Sequence, residues 1–112
     1  MNFKPIDNLI DIFAELKGIG LKTSTKLVQQ IIYKDKVYID NLIEALTDIK
    51  ENIFICDQCG YISYQSKQCD ICKDSSRDNS IICITKDYTD IFYIENYKFF
   101  NGNYHVLGGL IS

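Results

Sequence analysis

Apolar positions recur with a helical period from Asp7 to about Ile53. Leu9, Ile10, Phe13 and Leu16 fall at i, i+1, i+4 and i+7. Leu27, Val28, Ile31 and Ile32 form a second stripe, and Leu42, Ile43, Leu46 and Ile49 a third. This spacing turns one face of each of three helices toward a core. Asn41 followed by Glu44 has the form of a capping box and predicts the start of the third helix. Only Lys17-Gly18-Ile19-Gly20-Leu21 separates the first two helices, a connection short enough to fold them into a hairpin.

The pattern dissolves between Cys56 and Cys72, where cysteine pairs and polar residues surround Tyr61, Ile62 and Tyr64. A segment this short has no core of its own and needs a staple. From Ile81 the β-branched run Ile81-Ile82-Cys83-Ile84-Thr85 predicts a buried strand. Asp87 then precedes a helical stripe of Ile91, Phe92 and Ile94 with Glu95, and Tyr104 to Leu107 predicts a second strand. Strand, helix, strand with a connection of roughly twenty residues is a βαβ unit with a parallel pair. One such pair leaves sheet edges and a face uncovered, so the expectation is the opening of an α/β domain whose remainder lies beyond Ser112. The chain therefore reads as an α+β protein of several modules. A helical region covers 1–53, a cysteine module 54–75 and a partial α/β domain 80–112.

Composition narrows the setting. The 112 residues are 46% hydrophobic and 24% charged, a globular balance. The longest apolar runs, Ile81 to Ile84 and Val106 to Ile111, fall far short of a membrane span. The start, Met1-Asn2-Phe3-Lys4-Pro5, lacks the apolar stretch of a signal peptide. These features predict a cytoplasmic protein without a membrane partner, in which cysteines serve as ligands or plain thiols rather than disulfides. Isoleucine occurs 19 times and lysine 11 times against a single arginine, Arg77, a bias assigned to codon usage. The net charge of −3 is unevenly placed. Leu16 to Lys36 holds five lysines against one acid, whereas Glu51 to Ser112 holds eight acids against five basic residues. A protein that coats DNA everywhere would be basic throughout; this one can meet a phosphate backbone only at a defined place.

The strongest chemical signal is Cys56-Asp57-Gln58-Cys59 followed, after nine residues, by Cys69-Asp70-Ile71-Cys72. Each C-x-x-C places two sulfurs on one turn, and the spacer lets the pairs converge on one tetrahedral ion. Four thiolates suit zinc or iron, and a closed shell without redox tuning favours one structural Zn²⁺. A thioredoxin-like redox role fits poorly, because neither pair lies between a strand and a helix start. Cys83, inside an apolar strand, is expected in the core. The second signal is Leu16 to Thr23. Gly18 and Gly20 are expected to supply positive φ and the absence of Cβ. The amides after Gly20 open the next helix, where free N–H groups and the positive dipole end attract phosphate. Lys22 and Lys26 lie one turn apart on one face. The same pattern fits an ordinary corner between helices with a solvated lysine face. His105, the lone histidine, has no nucleophile or carboxylate partner in the pattern and reads as a strand residue.

The order of these parts resembles the RecR recombination-mediator family of bacteria. The resemblance rests on Leu16 to Lys22 with Lys26, the four cysteines, Ile82-Cys83-Ile84, Asp90-Ile91 with Glu95, and Tyr104 to Ser112. It implies a helix-hairpin-helix region, a C4 zinc finger and the start of a Toprim domain. It also implies a DNA repair protein without enzymatic activity, associated with the bacterial nucleoid. Family members bind DNA, act with RecO and in some settings RecF, and help load recombinase on single strands. The DNA-binding set carried over is Gly18, Gly20, Lys22 and Lys26. Subunits of the family assemble as dimers through the N-terminal region and close into a ring tetramer with the C-terminal part, which the resemblance places beyond Ser112. Where the family commonly has prolines beside the glycines, this chain has Lys17 and Leu21. The Toprim signature acid falls on Lys86, which leaves metal-dependent chemistry there unsupported. A zinc-stapled interaction or dimerisation module without DNA contact is the alternative, and a Toprim nuclease ranks last for want of an acidic cluster.

Overall fold

The computed structural model describes residues 3–107. Contacts divide the chain into two compact units, Met1–Ala45 and Leu46–Ser112. In the first, helix α1 spans Lys4–Ala14 and helix α2 Leu21–Ile32. Helix α1 starts at Lys4, three residues before the periodic stripe would place it, with Pro5 in the first turn, where its missing N–H costs nothing. The two helices pack on each other through Ile10, Ser24 and Val28, the buried residues of this pair. Ser24 Oγ donates to the Ile10 carbonyl, which satisfies a hydroxyl with no exposure to water.

The intervening turn corrects one expectation. Gly18 has φ +85°, a conformation that an L side chain strains. Gly20 has φ −82° and ψ 175°, and a Cβ there would meet nothing within 4 Å. Gly20 is the N-cap of α2, and it brings no side-chain acceptor to the first-turn amides. Leu16, assigned above to the first stripe, lies in this turn and is exposed.

Helix α3 spans Lys36–Asn52 and crosses the division between the units. Its start corrects a second expectation. The Asp35 carboxylate accepts the Tyr38 N–H at 2.8 Å, so Asp35 caps the helix and Asn41 lies inside it. A carboxylate acceptor six residues earlier wins over a neutral amide, being favoured by the helix dipole as well as the hydrogen bond. No residue of α3 is buried, and its third apolar stripe leaves Ile43, Leu46 and Ile49 more than half exposed.

In the second unit, strands β1 (Ile53–Ile55) and β2 (Ile62–Tyr64) pair antiparallel with Phe54 opposite Ser63. This hairpin was not legible in the periodicity. A short helix α4 (Asp70–Lys73) follows. Strand β3 (Ile82–Thr85), helix α5 (Tyr88–Asn96) and strand β4 (Asn103–Val106) form the expected strand–helix–strand, with β3 and β4 parallel. Asp87 caps α5 by accepting the Thr89 N–H at 2.9 Å.

The register sorts the two faces of this sheet. Cys83, Thr85, Tyr104 and Val106 face inward, while Ile82 and Ile84 are over 60% exposed beside an exposed His105. The inward face joins one core with Ile91, Ile71, Cys56, Cys59 and Cys69. The cysteine segment and the α/β segment thus share a core: the cysteine module fills a layer that one helix could not cover alone.

Candidate metal centre and its surroundings

Cys56 follows β1 directly, and a tight turn carries the chain through Cys59 to β2. The Cys56 N–H donates to the Tyr61 carbonyl at 2.7 Å and the Gly60 N–H to the Cys56 carbonyl at 3.0 Å. Gly60 has φ +84°, and a Cβ there would lie 3.1 Å from Val106 Cβ and 3.2 Å from its carbonyl oxygen. Conformation and space both require glycine. The Val106 N–H donates to the Cys59 carbonyl at 2.7 Å, so this turn is laced onto β4. Cys69 is the N-cap of α4 and Cys72 lies within that helix, which sets the second pair on one helical turn. The Asp57 N–H, bonded to the Lys67 carbonyl at 2.9 Å, ties the first turn to the segment leading into Cys69.

The four sulfurs lie within 4.8 Å of one another. Cys56 Sγ and Cys72 Sγ are 3.7 Å apart, and Cys59 Sγ and Cys69 Sγ 3.6 Å. A tetrahedron with metal–sulfur bonds of about 2.3 Å has edges of about 3.8 Å. The sulfurs therefore already outline the shell of one tetrahedral ion. Backbone N–H groups of Cys69, Tyr61 and Cys72 point at the sulfurs of Cys56, Cys59 and Cys69, at 3.3, 3.4 and 3.5 Å.

Electrostatics point the same way. Burial pushes the Cys56 thiol up, but backbone N–H groups of Cys69, Cys59 and Gln58 outweigh it and bring the pKa down to about 6. Burial and the neighbouring sulfurs drive Cys59 up to about 12 and raise Cys72 as well. One thiolate disfavours the next, and a cation held among the four sulfurs would offset that repulsion.

Beside the centre lies a network that the pattern of the sequence did not reveal. Arg77 forks onto Glu95: Nη1 donates to Oε2 at 3.1 Å, and Nη2 to Oε1. Nη1 also donates to the Gly102 carbonyl at 3.0 Å, and the Tyr104 hydroxyl donates to Glu95 Oε2 at 2.5 Å. Burial raises the Glu95 carboxyl, yet the hydrogen bonds from Arg77 and Tyr104 hold it below the usual range. Burial and the Glu95 charge raise the Tyr104 phenol. The network bolts the loop after α4 to α5 and β4. Its one legible trace was that a lysine-rich chain spends its only arginine here, where a planar fork is required.

In the first unit, Lys22 and Lys26 are exposed on α2, one turn apart, above the open first turn at Gly20. Gly18 supplies the turn. The nearby cleft of about 470 Å³ is lined by Asp7, Ile10, Asp11, Leu21 and Thr25. Its two carboxylates disfavour anions, so any phosphate contact belongs to the lysine face and not to this hollow.

The chain is 40% identical over 109 residues to Recombination protein RecR of Natranaerobius thermophilus, matching 97% of this chain and 54% of that protein. Recombination protein RecR of Finegoldia magna is 41% identical over 109 residues, with the same coverage. That of Streptomyces coelicolor is 37% identical over 107 residues, covering 96% of this chain and 53% of its own. This chain belongs to the RecR family. It spans about half the length of the curated relatives it matches. No family model matches it.

Of the residues that carried the RecR resemblance, Ile91 is fully buried at the centre of the second core, and Glu95 anchors the arginine network. Cys83 is half-buried on the inward face of β3, outside the sulfur cluster. Lys86 is exposed directly after β3. Of the stretch Tyr104 to Ser112 that also carried the resemblance, Gly108 to Ser112 lie outside the described residues. No helix among the described residues is long and apolar enough to cross a membrane.

Proposed function

We propose that this chain is the DNA-holding and metal-stapled part of a bacterial recombination mediator in DNA repair, acting without catalysis of its own. The observation that carries the proposal is the start of α2. Its N-cap, Gly20, offers no side-chain acceptor, and Lys22 and Lys26 stand exposed beside it. Amides and ammonium groups so placed grip a phosphate backbone without reading bases, the role of a helix-hairpin-helix. The relatives' name, recombination protein, supports the repair context. In this reading zinc occupies the four-cysteine shell as a structural ion, since a soft, buried S₄ tetrahedron has no open position for substrate. The strand–helix–strand is the opening of a Toprim domain whose signature acid is replaced by Lys86. The partners of this reading are RecO, with RecF in some settings, in the bacterial cytoplasm at the nucleoid, and the task is loading of recombinase on single-stranded DNA.

The first unit buries few residues, and the exposed stripe of α3 supplies a surface for a second copy. A dimer through the N-terminal region follows, and a ring requires the further length that the relatives possess. The same stripe favours the second reading, a dimerisation module with no DNA contact.

Fluorescence anisotropy with labelled duplex and single-stranded DNA across a salt series separates the two. DNA binding that is sequence-indifferent, falls with salt and is lost in Lys22→Glu with Lys26→Glu supports the clamp. The salt slope is expected to drop by about two per chain when both lysines go. Equal binding by parent and double variant overturns the hairpin assignment. Absence of DNA binding by a dimeric parent favours the second reading.

A further inference from the structure

The four sulfurs of the shell are not equivalent. Cys56, Cys59 and Cys69 are each at most 3% exposed, and each sulfur accepts a backbone N–H. Cys72 is half-buried, and among the described residues no backbone N–H reaches its sulfur. It lines a cleft of about 200 Å³ with Gln58, Cys59, Asn79 and Asn103, and of the two cysteines there it is the less buried. A hydrogen bond to a metal-bound thiolate draws on the lone-pair density with which it would attack, and burial blocks approach. Among thiolates held by one ion, oxidation follows exposure, and exposure and the missing N–H donor select the same residue, Cys72.

We propose that Cys72 is the modification site at which a small hydroperoxide enters the metal centre and opens it. The proposal rests on the reading of the four cysteines as metal ligands. The Cys72 sulfur attacks one oxygen of the peroxide; the S–O bond forms, the O–O bond breaks, and hydroxide leaves. Cys56 Sγ stands 3.7 Å from Cys72 Sγ and is the sulfur placed to attack the resulting sulfenic acid. The S–S bond forms as a second hydroxide leaves. Two thiolates thereby supply the two electrons that reduce one peroxide. The shell loses half of its ligands, and the ion departs.

The test uses the full chain loaded with zinc, its metal content checked first by native mass spectrometry. Substoichiometric hydrogen peroxide is added with dimedone, which traps sulfenic acid, and with a chromogenic zinc chelator. Peptide mapping is expected to place the adduct on Cys72 at about tenfold excess over the other three ligands, with zinc release rising in step. Without dimedone, a Cys56–Cys72 disulfide is expected. Adducts spread evenly over the four ligands, or confined to Cys83 with zinc retained, overturn the proposal. A chain that takes up no metal overturns the metal reading instead. In a second variant, Cys72→His, an imidazole nitrogen replaces the vulnerable sulfur. Zinc release by peroxide is expected to slow by about tenfold, and release at the parent rate counts against Cys72.

Discussion

Among the described residues, the first unit buries Ile10, Ser24 and Val28, whereas the second closes a core of seven residues, three of them cysteines, around a fully buried Ile91. Each unit is too small to draw stability from apolar burial alone. The second meets this shortage internally. Four sulfurs gather for one ion, a glycine lets the sulfur turn press on β4, and Arg77 ties loop, helix and strand together. The first leaves Phe3, Ile12, Leu16, Leu21, Ile32 and Tyr33 largely exposed. The second also leaves Ile82 and Ile84 exposed on its outer face; what the first lacks is the second's set of internal ties.

Metal removal should divide the units most sharply. A strong chelator, or Cys69→Ala, takes away a contribution that runs to about 10–16 kcal/mol in small metal-binding peptides. The second unit is expected to unfold while the helical signal of α1 and α2 persists. Amide exchange or residue-resolved nuclear magnetic resonance measures both at once. Simultaneous loss of the two units would show that the division is not a division of stability.

Next in size is the arginine network. Arg77→Ala strands Glu95 against the core, and the pair is only partly shielded, its side chains 12% and 26% exposed. A loss of about 2–3 kcal/mol is expected, below the figure for a fully buried pair. Glu95→Gln checks the cause through pH. The folded Glu95 pKa lies below its unfolded value, so its contribution is complete above about 4.3 and is lost as pH falls through the folded value. Acid also strips the thiolates, in parent and variant alike. The stability difference between them, followed by denaturant unfolding, is therefore expected to shrink only below about pH 4.3. A constant difference would assign the network's worth to packing.

The comparison breaks from the other side at α3. Ile43→Asp adds a charge to an already exposed position, so it is expected to leave monomer helicity within about 0.5 kcal/mol of the parent. If α3 pairs with a second copy, sedimentation should show a dimer in the parent and a monomer in the variant. A monomeric parent removes the partner from this account.

How much of this was legible follows from what each signal is made of. The cysteine pairs carry their chemistry in residue type and spacing, and the sulfurs converge as the spacing implies. Asp87 and the β-branched run around Cys83 are local signals, and they fall at the cap and strand that local propensity assigns. Asp35 shows the limit of local reading. The capping-box pattern pointed to Asn41, whereas the cap is Asp35, six positions earlier. The Arg77 network lay beyond the pattern because its members, Arg77, Glu95, Gly102 and Tyr104, belong to different elements and share no period. The cover over the inward sheet face was missed for a related reason. Periodicity states that Tyr104 and Val106 are buried, but not that a sulfur cluster is what buries them.

The smallest effect expected is also the most diagnostic, and it lies at Gly20, which behaves unlike its neighbour Gly18. Gly18→Ala forces an L residue to φ +85°, which costs about 1–2 kcal/mol. Gly20→Ser acts differently. At an N-cap in extended conformation, serine gains only a few tenths of a kcal/mol over glycine, by accepting a first-turn N–H. That N–H is one that the proposed phosphate contact requires. Gly20→Ser should therefore raise the melting temperature slightly while weakening DNA binding, two changes that a merely structural glycine would not oppose. Lys22 and Lys26 remain in place, so the salt slope of binding should hold while the affinity falls. Stabilisation with unchanged affinity would mean that the lysines act alone and that the open helix end is only a turn.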